Sequence, residues 1–352
     1  MTLLAEFLIK IFYVYTYGCE SLVPECQLMA PEARNVAELI ARDGLPIIHL
    51  SAHYGDIMCT QTLIACGADV KVRDVFGNTL LHAACQPIDN LNLPLEELDI
   101  RQTKIAYLLL QQRLCDPNAT NAHGMTPLHC AVSQGFFNMT QLLLQNGANM
   151  SKRDNRGETA LYYMFSRATW LVISDLKSRM LKLLLDYILC NPILFATQRE
   201  LDHQKSLRTI RWINKVLNTQ NIHHGFSALH RAVLQDVYPM NTPELELMQM
   251  LLNAGANPNI LDFDGNSPLQ LLLQSSIWHH GRDEKILFQA VKSLLEAGAD
   301  PNVMNKANHS PLHATALLHD EKIFSLLLAF GANPHLRNKR GETPEQLWAS
   351  FP

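Results

Sequence analysis

A turn glycine recurs along the chain at Gly44, Gly77, Gly124, Gly157, Gly225, Gly265 and Gly341, with Asn308 taking its place once. Three of the intervals, 44 to 77, 124 to 157 and 308 to 341, are 33 residues, and 157 to 225 is 68, close to twice that. The remaining gaps of 47, 40 and 43 residues read as one period plus an insertion. Self-similarity at this period marks a stacked repeat, because one unit of that size cannot bury both of its faces and must lean on its neighbours.

After each turn comes a variant of one four-residue theme: PIIH (46–49), TLLH (79–82), TPLH (126–129), TALY (159–162), SALH (227–230), SPLQ (267–270), SPLH (310–313) and TPEQ (343–346). Thr or Ser is placed to cap a helix, and Pro to fill the first turn, where a missing N–H costs nothing. An apolar segment then stops at Gly-Ala-Asp or Gly-Ala-Asn, at Gly67, Gly147, Gly255, Gly298 and Gly331. Glycine there ends a helix by taking a left-handed conformation. In residues 123–150, Leu128, Ala131 and Val132 line one helix and Leu142, Leu143 and Leu144 the other. Each unit is a turn, two short antiparallel helices and a loop.

With several offsets agreeing in unit after unit, the chain resembles the ankyrin-repeat family over about residues 40–350, less a stretch near 186–222. The resemblance implies an all-α solenoid of about seven stacked helix-turn-helix units joined by β-turn or hairpin loops. It also implies that the histidine closing the theme, at His49, His82, His129, His230 and His313, bonds backbone in the adjoining loop. Five of the fifteen histidines then leave any catalytic inventory.

The expected organisation is a capping helix region over 1–40, repeats over 41–186, a degenerate or replaced repeat over 187–222 that hinges the array, and repeats over 223–352 closed by a half-repeat. Trp348 and Phe351 of that half-repeat are expected to pack on the last full unit. Insertions fall at 86–102, 236–244 and 275–285, where the first helix hands over to the second. The opening segment has Glu6 and Lys10 inside its apolar run, unlike a signal peptide, and is short for a membrane span. An amphipathic helix laid on the first repeat accounts for it.

Composition narrows the function. The 352 residues carry 29 Lys and Arg against 33 Asp and Glu, a net charge of -4, which argues against bulk binding of nucleic acid or an anionic membrane. Eight cysteines without a CxxC pair suggest neither a disulfide framework nor a zinc ribbon, and point to a reducing compartment. The cytoplasm or nucleocytoplasm is the expected location, or a host cytosol for a bacterial effector. Of four N-x-S/T sequons, Asn118, Asn149 and Asn308 sit at turns and read as structural, with Asn138 the fourth.

Catalytic and metal signals are thin. His223/His224 and His279/His280 are adjacent pairs that point apart on a turn, Cys59 and Cys66 read as packed thiols, and GxxxxGK[ST], HExxH and GxSxG are absent from the sequence. No cofactor, no metal and no catalytic residue is expected. Lys205, Arg208, Arg211 and Lys215, with Trp212, are spaced for one helical face that would suit an acidic peptide, phosphate or lipid headgroup, although a solvated outer face explains them too and is the simpler reading.

The resemblance implies recognition of a protein partner by turn tips and inner helices. The tip residues singled out are Phe76, His123, Met125, Arg156, His224, Phe226, Phe263, Asn266, Lys306 and His309. Aromatic anchors in a polar rim are what an interface needs. The expected molecule is a monomeric, non-catalytic adaptor. Its narrower forms are a substrate adaptor of a ubiquitin ligase, for which a cullin-recruiting box after the array would be expected, or a bacterial effector acting on host proteins. An enzyme with its site in the degenerate middle is the alternative of another class.

Overall fold

Each first helix begins one residue after a Thr or Ser in extended conformation, or after Pro46 in the first unit, as the caps at Thr79, Thr126, Thr159, Ser227 and Ser310 show. The computed structural model describes residues 45–65, 67–87, 93–165, 174–190, 214–234, 242–278 and 283–350. Gly44, the opening segment, Cys66, the pair His279/His280, Phe351 and the stripe residues Lys205, Arg208, Arg211 and Trp212 lie outside them.

The chain divides into two compact units, up to Asn155 and from Arg156 onward. This division falls ahead of the 187–222 stretch at which the sequence suggests a hinge. In the first unit the helices are α1 (Ile47–His53), α2 (Ile57–Ala65), α3 (Leu80–Ala84), α4 (Leu95–Gln111), α5 (Pro127–Gln134) and α6 (Phe137–Gln145). The first helices α1, α3 and α5 pack in succession, and so do the second helices α2, α4 and α6. Two layers of helices thus enclose a core of Leu80, Leu81, Ile105, Leu109, Leu128, Phe136 and Leu143, all fully buried.

The insertion at 86–102 lengthens α4, whose 17 residues exceed the 9 of α2 and α6. The extension brings in a buried carboxylate that composition alone does not flag. Asp99 accepts hydrogen bonds from the N–H groups of Asn138 (2.7 Å) and Met139 (3.1 Å), capping the free N-terminal donors of α6 in the next layer. Burial raises its carboxyl above the usual carboxylate value, and these two hydrogen bonds work against that rise.

The second unit contains α7 (Ala160–Tyr163), α8 (Ser174–Cys190), α9 (Ala228–Val233), α10 (Thr242–Asn253), α11 (Pro268–Trp278), α12 (Glu284–Glu296), α13 (Pro311–Leu318), α14 (Glu321–Ala329) and α15 (Pro344–Ser350). First helices stack in the order α7, α9, α11, α13, α15, and second helices in the order α8, α10, α12, α14. The N–H of Ile222 donates to the carbonyl of Arg156 at 2.9 Å. The tips at Gly157 and Gly225 are therefore neighbours across the 68-residue interval. The pattern resumes at residues 214–217, a short helical stretch on which Val216 and Leu217 are buried. At the end of the chain Trp348 meets the rings of Phe324 (5.3 Å) and His319 (5.1 Å) edge-on, packing as expected on the last full layer.

Candidate protein-recognition edge

An Asx residue organises each hairpin tip. Asp74 accepts from the N–H groups of Phe76 (2.9 Å) and Asn78 (2.8 Å), Asn121 from His123 and Met125 (both 3.0 Å), Asp262 from Asp264 (2.9 Å) and Asn266 (2.7 Å), and Asn305 from Ala307 (3.0 Å) and His309 (2.9 Å). This is the Asx-turn chemistry that lets a short carboxylate or amide replace a backbone acceptor. Within the first unit the Phe76 carbonyl accepts from Ala122 and the His123 carbonyl from Asn155, both at 2.9 Å. Within the second, the His224 carbonyl accepts from Phe263 and the Asp264 carbonyl from Lys306, both at 2.8 Å. The backbone of every such tip is locked before any partner arrives.

Glycine at the turn is required twice over at Gly225. Its φ is +73°, and a Cβ there would stand 2.7 Å from the Phe263 ring and 3.0 Å from the Phe263 backbone nitrogen. At Asn308 the chain tolerates φ +54° with a side chain, the substitution for glycine read from the sequence.

The theme histidines hold these turns from below. The N–H of the capping residue donates to Nδ1 in His82 (3.2 Å), His129, His230 and His313 (3.1 Å each). Since a backbone N–H can only donate, Nδ1 is the unprotonated nitrogen and Nε2 carries the hydrogen. Nε2–H then reaches a carbonyl of the following turn: Val72 from His49 (3.0 Å), Met125 from His82 (2.9 Å), Asn266 from His230 (3.3 Å) and Glu342 from His313 (3.2 Å). Burial pushes His49, His82 and His230 down to about 4. A neutral ring is what the geometry uses.

Gln270 and Gln346 take the same place in their units with a side chain that does not titrate. Gln270 takes the N–H of Ser267 on Oε1 (3.0 Å) and gives Nε2–H to the carbonyls of Val303 (3.0 Å) and His309 (2.7 Å). Gln346 accepts the N–H of Thr343 at 2.9 Å. His49 shows the converse: its N-cap is Pro46, which has no N–H, and His49 Nδ1 is buried without a partner among the described residues.

The family profile described as ankyrin repeats in three copies matches residues 99–192, and the single ankyrin repeat matches 224–263 and 308–339. A crystal structure of the ankyrin repeat domain of Bcl-3, a member of the IkappaB protein family, superposes with a TM-score of 0.51 at 25% identity, covering 77% of this chain and 94% of that one. The chain is an ankyrin-repeat protein. Among curated relatives, the E3 ubiquitin-protein ligase KEG of Arabidopsis thaliana is 24% identical over 67% of this chain, and human neurogenic locus notch homolog protein 2 is 31% identical over 33% of it. The chain spans 14% and 6% of the lengths of those two relatives.

The ankyrin tips sort the residues singled out from sequence. Phe76 (56% exposed) and Phe263 (51%) project from their turns, and His123, Arg156, His224 and Lys306 are exposed beside them. Met125 is half-buried. Asn266 is buried, its amide on Asp262 (3.1 Å) and its Oδ1 accepting from Asn305 (2.9 Å) and Gln274 (3.1 Å), so it is part of the turn skeleton and not of the surface. Phe226 is half-buried and stacked between His224 (5.1 Å) and His230 (5.8 Å), which makes it packing for its own turn. His309 is likewise stacked on His313 at 5.6 Å. Lys215 is exposed on the 214–217 turn of helix.

Two further exposed apolar side chains lie on these tips, outside the set singled out from sequence. Ile222 (55% exposed) follows the Asx of its tip and Leu261 (42%) precedes the next one. Their signal is the place they hold beside Asn221 and Asp262, since nothing in the turn skeleton calls for an apolar side chain there. Among the described residues no group of three His, Cys, Asp or Glu side chains is placed to hold a metal ion, and no helix is long and apolar enough to cross a membrane.

Proposed function

We propose that this chain is a non-catalytic protein-recognition module whose partner lies across the hairpin tips. The observation that carries the reading is the contrast between a saturated turn skeleton and apolar side chains that the skeleton leaves in water. The first helices offer little competing surface: all five residues of α3 are buried, as are five of the six in α9. Inner-helix contacts would therefore add to the tips and not replace them. A photo-crosslinking amino acid installed at Phe263 should capture a partner protein in cells, while the same group at the exposed outer-helix position Ile100 should not. Capture at Ile100 alone would move the interface to the outer helices.

A narrower form, the substrate-binding part of a ubiquitin ligase, is favoured by the likeness to KEG over two thirds of the chain. Ubiquitin-transferring activity that copurifies with the chain and depends on Phe263 would support it, and its absence from a partner-bound preparation would count against it.

A further inference from the structure

The exposed side chains of the second unit's tips are segregated along the edge. Ile222, Leu261 and Phe263 stand together on two adjacent tips, tied by the Phe263 N–H to the His224 carbonyl (2.8 Å) and by Gln220 Nε2–H to the Leu261 carbonyl (2.8 Å). The next tip presents Lys306, joined through its N–H to the Asp264 carbonyl (2.8 Å). The last presents Arg337, Lys339 and Arg340, all exposed, and is linked to the layer before it by His313 Nε2–H on the Glu342 carbonyl (3.2 Å). Four cations thus follow three apolar side chains. The acids of these tips are the exposed Asp264, Asp262, buried against the N–H groups of Asp264 and Asn266 in its own turn, and the half-buried Glu342, which receives the Asn338 amide on its carboxylate at 2.9 Å. In a chain of net charge -4 this is a local reversal of sign.

We infer that this edge receives an acidic polypeptide segment, with one or two large apolar side chains seated on Ile222, Leu261 and Phe263 and its carboxylates over Lys306, Lys339 and Arg340. The inference rests on reading the tips as the recognition edge and adds the chemistry of the occupant. Apolar and cationic groups that follow one another in a line match a linear chain whose anchors precede its charges. A bilayer would meet both classes in one plane. A nucleic acid has evenly spaced charge and no aliphatic anchor for Ile222 and Leu261. Charge on the rim sets encounter rate and selectivity, while the apolar anchors carry most of the affinity.

The test selects a random sixteen-residue peptide library, displayed on phage, against the intact chain, and then measures a synthetic enriched peptide by fluorescence anisotropy. Enriched peptides should carry excess Asp and Glu beside Leu, Phe or Trp. Binding should weaken at least tenfold in Ile222→Ala with Phe263→Ala. The variant Lys339→Ala with Arg340→Ala should weaken it severalfold and flatten its dependence on salt. Ile222→Ser with Leu261→Ser serves as a second apolar variant that leaves the Phe263 ring against Gly225 in place, and circular dichroism checks that each variant stays folded. Neutral or basic peptides that still need the apolar residues would overturn the acidic occupant alone. No enrichment, or peptides indifferent to both kinds of variant, would overturn the recognition edge itself. Tighter binding of phosphatidylserine vesicles or duplex DNA through Lys339 and Arg340 would overturn the polypeptide.

Discussion

Replacing His82 by Ala and by Gln separates the two jobs the theme histidine could have. In His82→Ala the Thr79 N–H loses its acceptor, and the Met125 carbonyl keeps only the N–H of Asn121 (3.0 Å). An orphaned buried donor costs about 1–3 kcal/mol, and the cavity left by a ring that is fully buried brings the total to about 3–5 kcal/mol. In His82→Gln both bonds have a precedent in Gln270, so the loss should stay within about 1 kcal/mol. The two variants also differ with pH. Burial lowers His82 from 6.5 to about 4, so the unfolded chain takes up the proton first and stability present above pH 6.5 is lost as pH falls toward 4, on the order of 3 kcal/mol for this site. Below about 4 both states are protonated and the loss stops. Urea unfolding at pH 7.0 and pH 4.5 should therefore show wild type falling further than His82→Gln. If Gln is as damaging as Ala at pH 7, the shape of the ring holds the turn and the two hydrogen bonds do not. If the pH dependence of the Gln variant equals that of wild type, the buried neutral ring is not the group being titrated.

Asp99→Ala should cost about 2 kcal/mol in thermal or urea unfolding, because the N-terminal donors of α6 lose a charged cap, and amide exchange at Asn138 and Met139 should accelerate. Gly225→Ala should destabilise by about 2 kcal/mol or more, whereas Gly147→Ala, also at positive φ but with open space around the new Cβ, should cost about 1 kcal/mol, and equal costs in calorimetry would sink the steric argument. Trp348→Ala should cost about 2–3 kcal/mol through lost contacts with Phe324 and His319, and hydrogen exchange should quicken in α13 to α15 while α1 to α6 stay as they were.

Reading the sequence by its short-range chemistry succeeds wherever a residue's partner is a few positions away. The cap three residues before His82, the left-handed turn at Gly225 and its replacement by Asn308 all belong to that class. The ankyrin fold follows because the same local solution is repeated at matching offsets. Three things were left to the tertiary structure. An enlarged unit and a worn-out extra one lengthen a chain equally, so spacing alone could not say that Ile222 lies beside Arg156. Asn266 and Phe263 flank the same turn, yet one is buried and the other exposed, because Asn305 of the next layer covers the first and leaves the second in solvent. Asp99 sits in what reads as an insertion, and its role exists only once α4 is long enough to reach the end of α6. Within a repeat the backbone's own hydrogen bonds decide the outcome. Between repeats it is decided by which side chains the neighbouring layer happens to meet, and that depends on the length of chain folded away in between.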